Sequence, residues 1–378
     1  MTGQGFRVAA LSCAAVLALA GCGRDAVDAP EPSASPVQPV TPRHRVGPVP
    51  SVDTPSLRAT VENLEGLSSF VLYQRGAIRH EHYANGATRT RPSNIKSASK
   101  SVLGVLTGIA LERGHLDSLD TPVADLLPAN FGALDDERKR QITVEHLLTM
   151  SSGLRSTSFR NYGAWVTSPD WVAFALAQPL EHAPGTRMVY STGDTHLLAA
   201  ALTAATGVPL RQFAQQHLFD PLGVRIGGWD RDPQGVYFGG NNMALSPAAL
   251  VELGALHLND GRRNGQQLVP PDWIARSWQA HFPGASFNHR RHDYGYLWWR
   301  NTLSGHDVWF AWGHGGQHLF IVPSLDAVVV FTANPDRRHP GLNNAIYAAM
   351  EQAVIPWLHH TPGVGAPFAA DAEPGRTH

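Results

Sequence analysis

Strand-like runs stand near both ends of this chain and helical periodicity fills the middle, an order that fits neither a simple meander nor a helix bundle. Ser68-Ser69-Phe70-Val71-Leu72-Tyr73-Gln74 and Ala77-Ile78-Arg79-His80-Glu81-His82-Tyr83 flank Arg75-Gly76 and read as a β-hairpin. Apolar residues then recur at helical spacing through 102–111, 144–150, 171–177, 197–206, 210–218 and 247–258. Strand-like runs return at 294–299, 308–312, 318–322 and 327–332. A closing helix over 344–358 places Ile346, Met350, Val354 and Leu358 on one face. The expected fold is α/β in the α+β sense. An antiparallel sheet flanked by helices is built from 56–95 and 290–360, and an all-helical lobe spans about 96–289. A cleft between two such bodies is a usual ligand site. Ser97 lies where the first sheet segment passes into the helical section, which puts it at that cleft.

The helix over 102–111 opens with Ser97-Ala98-Ser99-Lys100-Ser101 and ends at Arg113-Gly114, a cation followed by a C-terminal glycine. Residues three apart on a helix share a face, so the Lys100 amine can lie beside the Ser97 hydroxyl. A serine hydroxyl becomes a good nucleophile only when a neighbouring base takes its proton. Lysine serves as that base once its pKa falls from about 10.4 to roughly 7–8. Lys96, Lys100 and Lys139 are the only lysines in the chain; every other basic side chain of that kind is arginine. Arginine stays protonated and cannot act as a base, so a lysine at this position is informative. Taken alone, Ser-x-x-Lys also fits an N-capping serine followed by a surface lysine.

Formal net charge is −1, which gives no sign of a nucleic-acid partner. Residues 8–20 are almost wholly apolar after Arg7, too short to span a bilayer and suited to an export signal. Leu19-Ala20-Gly21-Cys22 looks like a bacterial lipobox, so residues 1–21 are expected to be cleaved and Cys22 lipidated. The other cysteine, Cys13, leaves with the signal, and the mature chain then has no disulfide and no thiol metal site. Residues 22–55 form a Pro/Ser-rich stretch without hydrophobic period, an extended tether to a folded body at 56–360; 361–378 reads as a loose tail. The expected location is exported and lipid-anchored to a bacterial membrane, periplasmic or on the outer surface. His80 and His82 alternate on one strand face, but with no third ligand nearby they read as a solvated face rather than a metal site.

Two further segments complete a constellation. Pro184-Gly185-Thr186-Arg187-Met188-Val189-Tyr190-Ser191-Thr192-Gly193-Asp194 is a turn, an extended piece and the approach to a helix over 195–205. Tyr190 there is suited to relay a proton among nucleophile, base and leaving group, though it also fits a packing tyrosine. Trp312-Gly313-His314-Gly315-Gly316-Gln317 lies between two strand-like runs, where glycines let a substrate approach the backbone. The backbone N–H groups of Ser97 and Gln317 together can form an oxyanion hole. A tight hairpin tipped by a histidine is the plainer reading of that segment.

In the order Ser-x-x-Lys, Tyr-x-Thr, His-Gly-Gly, the three pieces resemble the serine hydrolase superfamily of class C β-lactamases, D-alanyl-D-alanine peptidases and related esterases. Gln141-Ile142-Thr143-Val144-Glu145-His146-Leu147-Leu148-Thr149-Met150-Ser151-Ser152-Gly153-Leu154 is similar to a segment of those proteins. So are Leu218-Phe219-Asp220-Pro221-Leu222-Gly223 and Gly239-Gly240-Asn241-Asn242-Met243-Ala244-Leu245-Ser246. Ser99-Lys100-Ser101, Tyr294-Gly295-Tyr296-Leu297-Trp298-Trp299 and Gly313-His314-Gly315-Gly316-Gln317 are most similar to the branch that includes 6-aminohexanoate-dimer hydrolases. The resemblance covers nearly all of 68–358 and implies a β-lactamase/transpeptidase-like fold. It also implies a Ser97 acyl-enzyme, Lys100 as base, Tyr190 as proton relay, and no metal or cofactor.

Departures from that pattern narrow the substrate. The third motif usually reads Lys-Thr-Gly or His-Thr/Ser-Gly; here Gly315 lacks the hydroxyl and His314 carries less charge than lysine. Thr192 stands where asparagine is common. These changes argue for a small-molecule ester or linear amide over a β-lactam. Thr192, His314, Gly315, Gly316, Trp298 and Trp299 are the expected pocket residues. The alternatives are a class C-like β-lactamase or D-Ala-D-Ala carboxypeptidase, and a non-catalytic lipoprotein that binds wall fragments.

Overall fold

The computed structural model describes residues 55–360, apart from 133, 135, 288, 289 and 338. The expected signal segment 1–21, Cys22 and its tether up to residue 54, and the tail 361–378 lie outside the described residues.

Among the described residues, eight strands form one antiparallel sheet. They are β1 (Leu67–Gln74), β2 (Ala77–Tyr83), β3 (Phe282–Phe287), β4 (Arg290–Tyr294), β5 (Trp299–Leu303), β6 (His306–Gly313), β7 (Gln317–Val322) and β8 (Ala327–Ala333). The spatial order is β2-β1-β8-β7-β6-β5-β4-β3, so the early hairpin pairs with the last strand. Phe70 sits opposite Phe331 and Leu72 opposite Val329 in that pairing. The central strands are covered on both faces, which is why Val328-Val329-Val330-Phe331 is unbroken apolar sequence rather than an alternating pattern.

The helices used below are α1 (Pro55–Glu62), α2 (Ser99–Glu112), α3 (Trp171–Ala177), α4 (Thr192–Thr206), α5 (Pro247–Leu258) and α6 (Leu342–Ala349). α5 lies on one face of the sheet. A Cβ on its Gly254 would come 2.5 Å from the Val328 side chain, so only glycine permits this approach. α6 covers the opposite face, where Tyr347 meets Phe310 and Phe320 edge-on. α2, α3 and α4 pack together in the helical lobe, and α2 also reaches the sheet at β6. The expected antiparallel sheet with covering helices is therefore present.

Two expectations need correction. The run 294–299 is not one strand: Tyr294 ends β4, Trp299 begins β5 and 295–298 is the turn between them, where Gly295 N–H donates to the Trp298 carbonyl and Leu297 takes a left-handed φ of 61°. Its apolar residues are buried in the core, so hydrophobicity there reports burial and not extension. The sheet also begins at Phe282, inside the span expected for the helical lobe. That edge strand is half-exposed and holds Pro283 and Gly284, which erase the usual strand pattern.

Candidate active site

Ser97 lies in a short 3-10 turn, Lys96–Ala98, that runs straight into α2. Lys96 adopts a left-handed φ of 51°, held by its N–H donating to Asn94 Oδ1 at 2.8 Å, while Ser99 Oγ donates to the Lys96 carbonyl at 2.8 Å. A non-glycine residue in that region is strained and persists only where its surroundings fix it. Here the strained residue sets the entry of the chain into the turn that holds Ser97 and on into α2, which carries Lys100.

Lys100 is 3% exposed. Its Nζ lies 3.2 Å from Ser97 Oγ, 3.3 Å from Thr192 Oγ1 and 2.6 Å from the Gly240 carbonyl oxygen. Burial lowers its pKa from the ordinary lysine range to about 7. A neutral amine has two donors and one lone pair. Gly240 and Thr192 take the two donors, and the lone pair is left for the Ser97 hydroxyl.

Tyr190 sits one residue before Ser191, the residue that caps α4 by accepting from Asp194 N–H. Ser156 Oγ donates to the Tyr190 carbonyl at 2.7 Å and fixes its backbone. The Lys100 amine stands 5.2 Å from the centre of the Tyr190 ring. Burial raises the phenol's pKa, and its hydrogen bond with Ser97 works the other way without cancelling the rise. Burial thus favours the neutral form of both groups, an amine able to accept a proton and a phenol that keeps its own.

The turn His314-Gly315-Gly316 joins β6 to β7. A Cβ on Gly313 would meet the Ile95 carbonyl at 2.1 Å, so the end of β6 lies hard against the segment that leads into Ser97. Gln317 pairs with Gly313 across that turn, and its side chain is tied to the Ala333 backbone at 2.9 and 3.2 Å. The two backbone segments expected to form the oxyanion hole are thus neighbours.

A cavity of about 380 Å³ opens over Ser97, walled by Tyr190, Thr192, Phe159, Tyr162, Phe287 and Trp312, with His314 at its rim. No Asp or Glu among the described residues lines it. A second cavity of similar size shares Trp312 and His314 and contains Gly315 and Arg290. Of the expected pocket residues, Thr192 and His314 line the Ser97 cavity. Gly315 belongs to the neighbouring one, and Gly316 is buried because a Cβ there would strike Leu342 at 2.7 Å. Trp298 is not a pocket residue: it is fully buried, 4.7 Å from the His257 ring. Trp299 is also covered; it stacks behind Tyr190 at 5.9 Å and Phe287 at 4.8 Å and so supports the wall without forming it. Phe159, Tyr162, Phe287, Ser158 and Asn241 were not expected at the site. Only Asn241 had a sequence signal, through the Gly239-Gly240-Asn241 segment.

A family model for Beta-lactamase matches residues 58–354. The chain belongs to the beta-lactamase family. Relatives and solved structures agree with that placement. A 6-aminohexanoate-dimer hydrolase from Paenarthrobacter ureafaciens is 23% identical over 322 residues, covering 76% of this chain and 78% of that enzyme. Esterase EstB from Burkholderia gladioli is 30% identical over 149 residues, 36% of this chain and 38% of the esterase. The solved structure of EstCE1, a hydrolase with promiscuous acyltransferase activity, superposes with a TM-score of 0.66 at 20% identity, covering 80% of this chain and all of that one (100%). As a beta-lactamase-family hydrolase, the chain carries its Ser-x-x-Lys, Tyr and His-Gly-Gly segments around one hollow.

Proposed function

We propose that this chain is a serine hydrolase that cleaves an ester or linear amide through an acyl-enzyme on Ser97. The observation that carries the reading is the buried Lys100 amine, 3.2 Å from Ser97 Oγ, with a pKa brought to about 7 by burial. The Ser97 proton passes to Lys100 as Oγ bonds to the substrate carbonyl carbon. The oxygen of that carbonyl takes the negative charge and is met by the backbone N–H groups of Ser97 and Gln317. When the tetrahedral species collapses, the Lys100 proton reaches the leaving alcohol or amine through the Tyr190 hydroxyl. Water then attacks the acyl carbon, gives its proton back along the same route, and Ser97 Oγ leaves with a proton as the acid is released.

The wall of the cavity favours an apolar acyl group over a β-lactam. Gly315 supplies no hydroxyl, and Thr192 Oγ1 is engaged by Lys100 at 3.3 Å and Ser158 at 2.9 Å, so it is not free for a substrate amide. Export and lipid anchoring through Cys22 belong to the same proposal, on the strength of the Leu19-Ala20-Gly21-Cys22 pattern.

The test is a panel of short-chain nitrophenyl esters, linear amides, D-Ala-D-Ala peptides and a chromogenic cephalosporin, run beside labelling with a fluorophosphonate. Esters or linear amides are expected to give the highest kcat/KM, and Ser97→Ala is expected to abolish both turnover and label. Undiminished turnover in that variant would remove Ser97 as nucleophile, and no turnover or label in the parent would favour a binding protein.

A further inference from the structure

His196 and Asp232 form a buried pair that the reaction above does not use. His196 sits on α4, at the start of its second turn, and Asp232 comes from the loop that precedes Gly239-Gly240. Both side chains are 0% exposed, and the imidazole is packed among Trp165, Trp171 and Phe238. The Gly239 N–H donates to His196 Nδ1 at 3.2 Å. That nitrogen must therefore hold the lone pair, so the ring proton is on Nε2, which donates to Asp232 Oδ2 at 3.0 Å. The other carboxylate oxygen accepts the Val236 N–H at 2.8 Å. At its carbonyl end Gly239 accepts from Thr195 Oγ1 at 3.0 Å. The next residue, Gly240, has a left-handed φ of 74°, and its carbonyl is the shortest contact of the Lys100 amine, 2.6 Å.

We propose that His196 and Asp232 are positioning residues for the base: by fixing the Gly239 amide they aim the following carbonyl at Lys100. The chain of contacts runs from Asp232 to His196, to the Gly239 peptide, to the Gly240 carbonyl and so to the amine. Neither His196 nor Asp232 itself touches the reacting atoms. An apolar pair in place of His196 and Asp232 would fill the same space without burying a carboxylate, and a buried carboxylate is costly unless its hydrogen bonds are met. What an apolar side chain at 196 cannot do is accept the Gly239 N–H and so fix the backbone that leads into Gly240, whose carbonyl contacts the base.

The inference rests on Lys100 acting as base in the proposed function. The titratable groups on the elements around the amine are Tyr190 ahead of α4, Asp194 on α4, Tyr294 at the end of β4, Lys96 beside Ser97, and the His196–Asp232 pair. The test is the pH profile of kcat/KM for a nitrophenyl ester, using the full chain, with turnover expressed per fluorophosphonate-labelled site. His196→Leu is expected to lose about tenfold or more in turnover per site. Its acid limb is expected to move to higher pH, because a slackened 239–240 peptide admits water to the amine and relieves its desolvation. His196→Asn, whose amide oxygen takes the place of Nδ1, is expected to recover most of both effects. If His196→Leu does not fold, Thr195→Val releases the carbonyl of the same glycine and is expected to shift the limb in the same direction. A parent-like limb and turnover per site in His196→Leu, or in Thr195→Val where the first does not fold, overturns the proposal. So does a His196→Asn variant as impaired as His196→Leu. Parent turnover that survives Ser97→Ala overturns the underlying reading instead, so the two failures are told apart.

Discussion

The Gly240 carbonyl oxygen stands closer to the Lys100 amine, at 2.6 Å, than the Ser97 hydroxyl does at 3.2 Å. The amine is thus held most closely by a backbone group and not by the hydroxyl. With one donor fixed on Gly240 and another on Thr192, the remaining valence of a neutral nitrogen is directed at the nucleophile. A carbonyl also stabilises an ammonium, so the same contact serves both protonation states through the cycle. Desolvation, not a neighbouring cation, is what lowers the pKa.

The first consequence is a pH dependence with a definite sign. In the proposed reaction the active form carries a neutral Lys100, so kcat/KM is expected to rise with pH along a single-proton limb centred near 7 and to level off above it. An ordinary lysine would leave roughly one amine in a few thousand free at pH 7. Asp194 falls in the same range, since burial raises its carboxyl to about 7 against the opposing hydrogen bonds of Ser152 and Ser191. Asp194→Asn should nonetheless retain the limb, because its partners are those hydroxyls and not the amine. A limb that vanishes in Asp194→Asn would assign it to the carboxyl.

Lys100 also carries a stability cost that can be measured. Its native pKa lies below the unfolded value, so between about pH 7 and 10.4 the unfolded chain holds the extra proton and stability rises with pH. Below that window the penalty is at its full size, on the order of 4–5 kcal/mol before the hydrogen bonds to Gly240 and Thr192 offset part of it. Lys100→Met is therefore expected to be inactive and yet more resistant to urea than the parent, with a larger gain at pH 6 than at pH 9. Lys100→Arg is expected to be inactive and less stable, because a permanent charge is forced into a buried site that offers it no carboxylate partner among the described residues. Equal stability differences at the two pH values would mean that the buried lysine does not titrate between them.

The Cys22 proposal separates cleanly from the chemistry. Cys22→Ser is expected to shift the protein from the membrane fraction to the soluble fraction of cells that process lipoproteins, with turnover per labelled site unchanged. Continued membrane association of the serine variant would rule out lipidation as the anchor.

The large-scale order of the fold was legible because its causes are local in sequence. Alternation and glycine turns mark the β1–β2 hairpin, helical spacing marks α2 and α5, and Ser97 falls at the junction between the two kinds of segment. The Ser97–Lys100 pair was legible for the same reason, since one helical turn sets its distance. Gly240 was not, because its role depends on a contact across 140 positions of chain with no periodic signature. The aromatic residues misled in a specific way. Composition marks tryptophans as large and apolar, but burial in the core and exposure to a ligand cavity call for the same residue types. Only the left-handed turn at Leu297 decides which way Trp298 and Trp299 face.

That ambiguity gives a pair of variants with opposite expectations. Trp298 is fully buried beside His257, whereas Phe287 lies against Tyr190 at 4.5 Å and Trp312 at 5.0 Å on the cavity wall. Trp298→Ala removes a large core side chain and is expected to cost about 3–5 kcal/mol of stability, with the ester chain-length preference of the folded fraction unchanged. Phe287→Ala opens the cavity at its apolar wall and is expected to shift that preference toward longer acyl chains, at a smaller loss of stability because its strand lies at the sheet edge. Denaturant midpoints and kcat/KM over a series of nitrophenyl esters of increasing acyl length read both effects. If Trp298→Ala alters the chain-length profile and Phe287→Ala does not, the wall of the acyl pocket is on the other side of the β4–β5 turn from where the packing puts it.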